Sequence, residues 1–208
     1  MRIVVFGATG STGTLLVEKA LSAGHEVTAF VRSEFPIKNS DAGLRIIIGN
    51  VFDTAAVANA VRQHDVVLSA LGGRPWRNAR VCYSALGRIV PAMKQHGVRR
   101  ILAISTLGAH DTRADVGWFA RNVLFRVLLR HEVADKEAME ELLSESGLDW
   151  TVIRVGLLTN DPPRGHFRAA DDHSVHGMGR IGRADVADFM LAQIESDVWK
   201  RRKPVLVY

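Results

Sequence analysis

Cysteine is nearly absent: Cys82 is the only one in 208 residues, so no internal disulfide can form and a disulfide-framed fold is excluded. Its place in a helix-like stretch makes an inert, partly buried thiol the expectation. Long apolar runs are missing too, none reaching the roughly 18 residues that span a bilayer. The N-terminus passes directly into a strand-like segment, so no membrane contact and a cytoplasmic location are expected. There is no serine elbow, no phosphate-binding Gly-Lys-Ser/Thr and no paired-carboxylate arrangement. His166, His173 and His176, with Asp171 and Asp172 among them, match no zinc spacing, and no metal is expected. Repeats and low-complexity segments are absent. Acidic residues are outnumbered 27 to 22, and the net charge of +5 favours anionic ligands. The surplus is dispersed, and its densest run, Lys200 to Lys203, reads as a solvated turn, so nucleic acid is not an expected partner.

What is present is a chain 47% hydrophobic and 24% charged, suited to one globular domain over residues 1–208. Strands are expected at Ile3-Phe6, Glu26-Val31, Leu44-Ile48, Asp65-Ala70, Arg100-Ser105 and Trp150-Val155, with Val205-Val207 as a short edge strand. Helices are expected after the first strand and at Asp53-Gln63, Asn78-His96, His131-Ser146 and Arg183-Glu195. This alternation predicts an α/β fold, a doubly wound parallel sheet of the Rossmann type with helices on both faces. Residues 157–182, rich in Gly, Pro, His and Arg, read as a long loop on the substrate side of the crevice.

The most informative stretch is Ile3 to Gly13, where an apolar strand breaks into G-x-x-G-x-x-G and an amphipathic helix follows. Gly7 permits the sharp exit, Gly10 lets a pyrophosphate approach the backbone, and Gly13 lets the helix pack on the sheet. Thr9, Ser11 and Thr12 lie within the same phosphate-binding turn, at the positive end of a helix. About 20 residues beyond the glycines, where an acid would select NAD, stands Arg32, whose guanidinium suits a 2′-phosphate. NADP(H) is therefore expected, with NAD(H) less favoured. Ligands of such sheets bind beyond the strands' carboxyl ends, which supply Asn50 and Val51 for the adenine and Ala70, Leu71 and Gly72 for the ribose and nicotinamide. Ser105 and Thr106 close the fifth strand, either beside the nicotinamide or simply as strand-end caps.

Phe6 to Gly13, Val31-Arg32, Gly49-Asn50-Val51, Ala92 to Val98, Ser146 to Thr151 and Arg183 to Ala187 together resemble the atypical short-chain dehydrogenase/reductase group. The likeness is to its flavin reductase/biliverdin reductase B-like and NmrA-like members and covers nearly the whole chain. It implies hydride transfer from NADPH to a flavin, a linear tetrapyrrole or a quinone-like acceptor. The helix that carries Tyr-x-x-x-Lys in ordinary members here has Glu132 and Lys136, so no phenol serves as proton donor and a standard alcohol dehydrogenase is not expected. Lys136 reads either as part of the catalytic site or as a salt-bridged helix residue. Arg74, Trp76 and Arg77 form a loop suited to a planar, anionic acceptor, or a solvated loop around one packed tryptophan. Trp118 to Arg130 reads first as core or subunit packing, and a monomer or homodimer is expected. The alternative to an enzyme is a non-catalytic NADP-binding redox sensor of the NmrA-like kind.

Overall fold

The computed structural model describes residues 1–33, 42–73, 80–114, 129–171, 174 and 179–208. Six strands, β1 (Arg2–Phe6), β2 (Glu26–Val31), β3 (Leu44–Ile48), β4 (Val66–Ser69), β5 (Arg100–Thr106) and β6 (Asp149–Val155), run parallel in the order β3-β2-β1-β4-β5-β6. Helices α1 (Ser11–Ser22), α2 (Thr54–Val61), α3 (Val81–His96), α4 (Arg130–Glu145) and α5 (Arg183–Ala192) supply the crossovers and cover. Every residue of β4, and all of β1 after Arg2, is buried, the nearly continuous apolar pattern of a sheet covered on both faces. Alternation sorts the side chains: Ile3, Val5 and Leu68 pack towards α1 and α5, Val4, Phe6 and Val67 towards α2, α3 and α4. The strand order reverses between β1 and β4, which opens a crevice beyond their carboxyl ends. No described helix is long and apolar enough to cross a membrane.

Two expectations are corrected. The stretch read as a loop holds three short strands, β7 (Leu157–Thr159), β8 (Arg168–Ala170) and β9 (Arg180–Gly182), and β7 pairs in parallel with β9. Three-residue strands carry too few alternations to stand out in a sequence. The segment is anchored by buried Asp185, which accepts the amides of Arg164 (3.0 Å) and Gly165 (2.9 Å) and the hydroxyl of Tyr208 (2.5 Å). The final strand, β10 (Val205–Val207), is not an edge: it lies between β6, to which it is parallel, and β8, to which it is antiparallel. Its three residues are all buried, which fits an interior position. Boundaries shift modestly. Asp53 caps α2 by accepting from the amides of Ala55 (2.9 Å) and Ala56 (3.1 Å), which starts the helix at Thr54. Asn78 and residues 118–128 lie outside the described residues, and Arg130 opens α4.

Candidate functional site

The turn between β1 and α1 is built around close backbone approach. Gly7 has φ +81°, and a Cβ there would stand 2.7 Å from the Ala70 carbonyl carbon, so β1 can leave the sheet against the end of β4 only as glycine. A Cβ on Gly13 would overlap the Gly7 carbonyl oxygen, which fixes how closely the first turn of α1 sits on the loop. Gly10 closes the turn by donating to the Gly7 carbonyl (3.0 Å). No described side chain caps α1, and its first turn contains no acid. The opening amides of Ser11, Thr12 and Gly13 are thus left for an acceptor from outside the chain, with the helix dipole favouring an anion. That is a fit to a pyrophosphate.

A crevice of about 370 Å³ brings together most of the residues singled out for the cofactor. Gly7, Thr9 and Gly10 line one wall, Arg32 and Val51 another, and Ala70, Leu71 and Gly72 the floor. Arg32 is exposed and makes no ion pair with a described residue. Ser11 instead faces a neighbouring cavity of about 620 Å³, shared with Thr9, Asn160 and Arg183, so the 157–182 segment does border the glycine turn. Thr12 and Gly13 are buried beneath it. Asn50 does not line the crevice; its Oδ1 accepts the Phe52 amide (3.0 Å) and shapes the turn that carries Val51. Sequence reasoning missed Phe52, a crevice residue 44% exposed with the Arg88 guanidinium 5.8 Å from its ring centre. An aromatic directly after Asn50-Val51 was the signal available.

The floor is stapled from α4. Lys136, only 4% exposed, donates from Nζ to the carbonyls of Leu71 (2.8 Å) and Ile104 (2.7 Å), tying the ends of β4 and β5 together. Its partners are backbone carbonyls, which corrects the salt-bridge reading. The Cys82 thiol also donates to Leu71 O (3.4 Å); it is fully buried, and burial, opposed by nearby Lys136, pushes its pKa up to about 11. It stays a protonated packing group. Buried Asp135 accepts the amides of Cys82 (2.9 Å) and Tyr83 (2.8 Å) and so caps α3 from the neighbouring helix. Glu132, one turn before Lys136, is half-buried and has no hydrogen bond to a described residue. Burial raises its carboxyl above the ordinary range, with Lys136 opposing and Asp135 reinforcing the shift.

Ser105 and Thr106 part company. Ser105 is 2% exposed and its hydroxyl donates to Glu140 Oε1 (2.6 Å), contacts that favour a structural role. Glu140 also accepts from Arg154 at 2.7 Å and 3.2 Å and faces Lys203 Nζ at 3.3 Å, while Arg154 reaches Asp111 at 2.8 Å. Burial pushes the Glu140 carboxyl up, but the guanidinium, the hydroxyl and the ammonium together hold it below the ordinary carboxylate range. Thr106 is the half-buried hydroxyl at the strand end, donating to the Leu107 carbonyl (3.1 Å). Arg74, Trp76 and Arg77 lie outside the described residues. Of the histidine and aspartate group, His166 Nδ1 sits on the Arg164 carbonyl (2.9 Å) and Asp171 pairs with Arg202 (2.6 Å), while Asp172, His173 and His176 are outside the described residues.

A family model described as NAD(P)H-binding matches residues 7–197. An uncharacterized chloroplastic protein of Arabidopsis thaliana is 30% identical over 208 residues, covering 94% of this chain and 73% of that one. Among solved structures, a short-chain dehydrogenase/reductase from Veillonella parvula in complex with NADP superposes with a TM-score of 0.85 at 18% identity, covering 100% of this chain and 94% of that one. The anaerobilin reductase ChuY of Escherichia coli O157:H7 does so with a TM-score of 0.81 at 22% identity, covering 100% and 97%. These two likenesses share the Rossmann architecture.

Proposed function

Since the chain belongs to the NAD(P)H-binding family, we propose that it is an NADPH-dependent reductase that passes hydride to a planar conjugated acceptor, a flavin, a linear tetrapyrrole or a quinone-like molecule. The observation that carries the reading is the crevice running from the N-terminus of α1, which no described side chain caps, past exposed Arg32, to the stapled floor at Leu71. In this reading the amides of Ser11, Thr12 and Gly13 hold the pyrophosphate and the Arg32 guanidinium holds the 2′-phosphate. Val51 and Phe52 flank the adenine. Leu71 and Gly72, fixed by Lys136, carry the ribose and nicotinamide, with Thr106 at the strand end beside them. A bound reduced nicotinamide supplies the hydride. Arg74, Trp76 and Arg77 contact the acceptor, the ring by stacking and the arginines through its acidic groups. The likeness to an NADP complex and to an anaerobilin reductase supports this choice of cofactor and acceptor class.

The test is NADPH oxidation, followed by nicotinamide absorbance, against FMN, riboflavin, biliverdin and simple quinones, with NADH in parallel. Turnover with NADPH preferred is the expected result, and Arg32→Glu should weaken NADPH binding far more than NADH binding. Saturable NADPH binding without turnover of any acceptor refutes the enzyme and leaves the redox-sensing regulator. Equal losses for the two nucleotides refute the role of Arg32.

A further inference from the structure

We propose that a cavity at the amino end of the sheet is a second binding site, for a small phosphorylated and hydroxyl-bearing molecule of the sugar phosphate class. The proposal does not depend on the reductase reading. The cavity, of about 400 Å³, lies between the starts of β2 and β3 and the turn that follows α2, and Glu26, Thr28, Arg45, Arg62, Gln63 and His64 are among the residues that line it. Thr28 lies in β2 four residues before Arg32, about 13 Å along the chain, so a 2′-phosphate held at Arg32 occupies the other end of the strand.

Unspent positive charge is the first observation. The densest basic run of the chain is neutralised, with Lys200 and Arg201 on Asp149, Arg202 on Asp171 and Lys203 on Glu140. Arg2, at the edge of this cavity, is held by Asp65 at 2.9 Å. Arg45 and Arg62, by contrast, are exposed, and neither side chain makes an ion pair or hydrogen bond with a described residue. Register turns Arg45 to the cavity: it stands opposite Thr28 in the parallel pairing of β2 and β3, on the sheet face that Phe30 packs towards α2. Arg62 is presented by a strained turn, the second observation. Val61 to His64 form a type II turn, closed by the His64 amide on the Val61 carbonyl (3.3 Å), with Gln63 at φ +65° where glycine is the usual residue. Such strain persists only where neighbouring contacts hold it, and His64 supplies them. In the neutral ring Nδ1 donates to the Arg62 carbonyl (3.0 Å), and Nε2 then accepts the Thr28 hydroxyl (2.8 Å). Two arginines with no described partner suit the fork-shaped bonds of a phosphate dianion. Glu26, whose carboxylate can only accept, suits hydroxyl groups on the same molecule.

His64 is the reporter for a test. Burial holds its imidazole below the ordinary range, the carbonyls of Arg62 and Val61 oppose that shift, and Arg2 from β1 and Arg45 from β3 reinforce it. A phosphate that neutralises Arg45 should therefore raise its titration midpoint. In ¹H–¹³C spectra of protein saturated with NADP⁺, glucose 6-phosphate should shift saturably the imidazole resonance that is missing from His64→Asn, and should move its midpoint upward. Glucose at the same concentration and ionic strength should do neither. Arg45→Gln and Arg62→Gln should each weaken glucose 6-phosphate binding about 10-fold or more, the scale of one hydrogen bond between charged groups, and should leave the NADP⁺ dissociation constant within about twofold. No saturable shift, a shift seen only without NADP⁺, an equal response to glucose, or binding indifferent to both arginine changes overturns the site.

Discussion

Replacing Glu140 with glutamine should be among the most destabilising conservative changes in the chain. Glutamine keeps the volume and can still accept from Ser105, but it leaves the Arg154 guanidinium, 2% exposed, facing an uncharged amide whose N–H groups cannot accept. Glu140 is 0% exposed and joins α4 to β5, β6 and the segment before β10 through Ser105, Arg154 and Lys203. Breaking a buried pair by neutralising one partner costs roughly 3–5 kcal/mol. Asp111, half-exposed, returns little of that to Arg154. For a domain of this size the loss corresponds to a drop in Tm of about 6–20 °C. The pH dependence has a definite sign. The Glu140 carboxyl is held below its unfolded value, so its contribution is complete above the unfolded pKa of about 4.3 and is lost as pH falls through the folded pKa. The assay is urea denaturation followed by circular dichroism, wild type against variant, from pH 7 down to about pH 2, so that the range extends well below the unfolded pKa. The gap should be widest at neutral pH and narrow at the acidic end, and adding Arg154→Met to Glu140→Gln should cost less than Arg154→Met alone. A loss under about 1 kcal/mol, or a gap indifferent to pH, refutes the reasoning.

Other changes follow from the same geometry. Gly13→Ala places a methyl group against the Gly7 carbonyl and should abolish NADPH binding, checked by calorimetric titration; unchanged affinity would mean the turn relaxes freely. Lys136→Met removes two charge-assisted hydrogen bonds to strand-end carbonyls and should cost about 2–4 kcal/mol in denaturant unfolding. Asp53→Ala deletes the α2 cap, should cost about 1 kcal/mol in the same assay, and should leave NADPH affinity intact.

The parts of the fold that were legible are those written in long periodic runs. The six parallel strands and the glycine turn announce themselves because each central strand is apolar on both faces and the turn tolerates no side chain at Gly7 or Gly13. The short strands β7, β8 and β9 were hidden because pairing, not pattern, creates them, and the inner place of β10 depends on β8, itself unseen. At the site, positions fixed by backbone could be read, whereas destinations of side chains could not. Ser105 and Lys136 were found as residues of the strand ends and of the facing helix, but that one serves Glu140 and the other two carbonyls depends on α4 lying against β5 and β6, within reach of Leu71 beyond the end of β4. Phe52 joined the crevice only because the Asn50 side chain turns the backbone there.

The inner position of β10 also orders events in time. Among the described residues β8 is attached to the main sheet through β10 alone, pairing Ala170 with Val205, so it has no described edge to join until residues far behind it in the chain have docked beside β6. The pairing of β8 with the main sheet thus presupposes that of β10 with β6, a non-local contact that closes the border of the sheet across everything between the two strands.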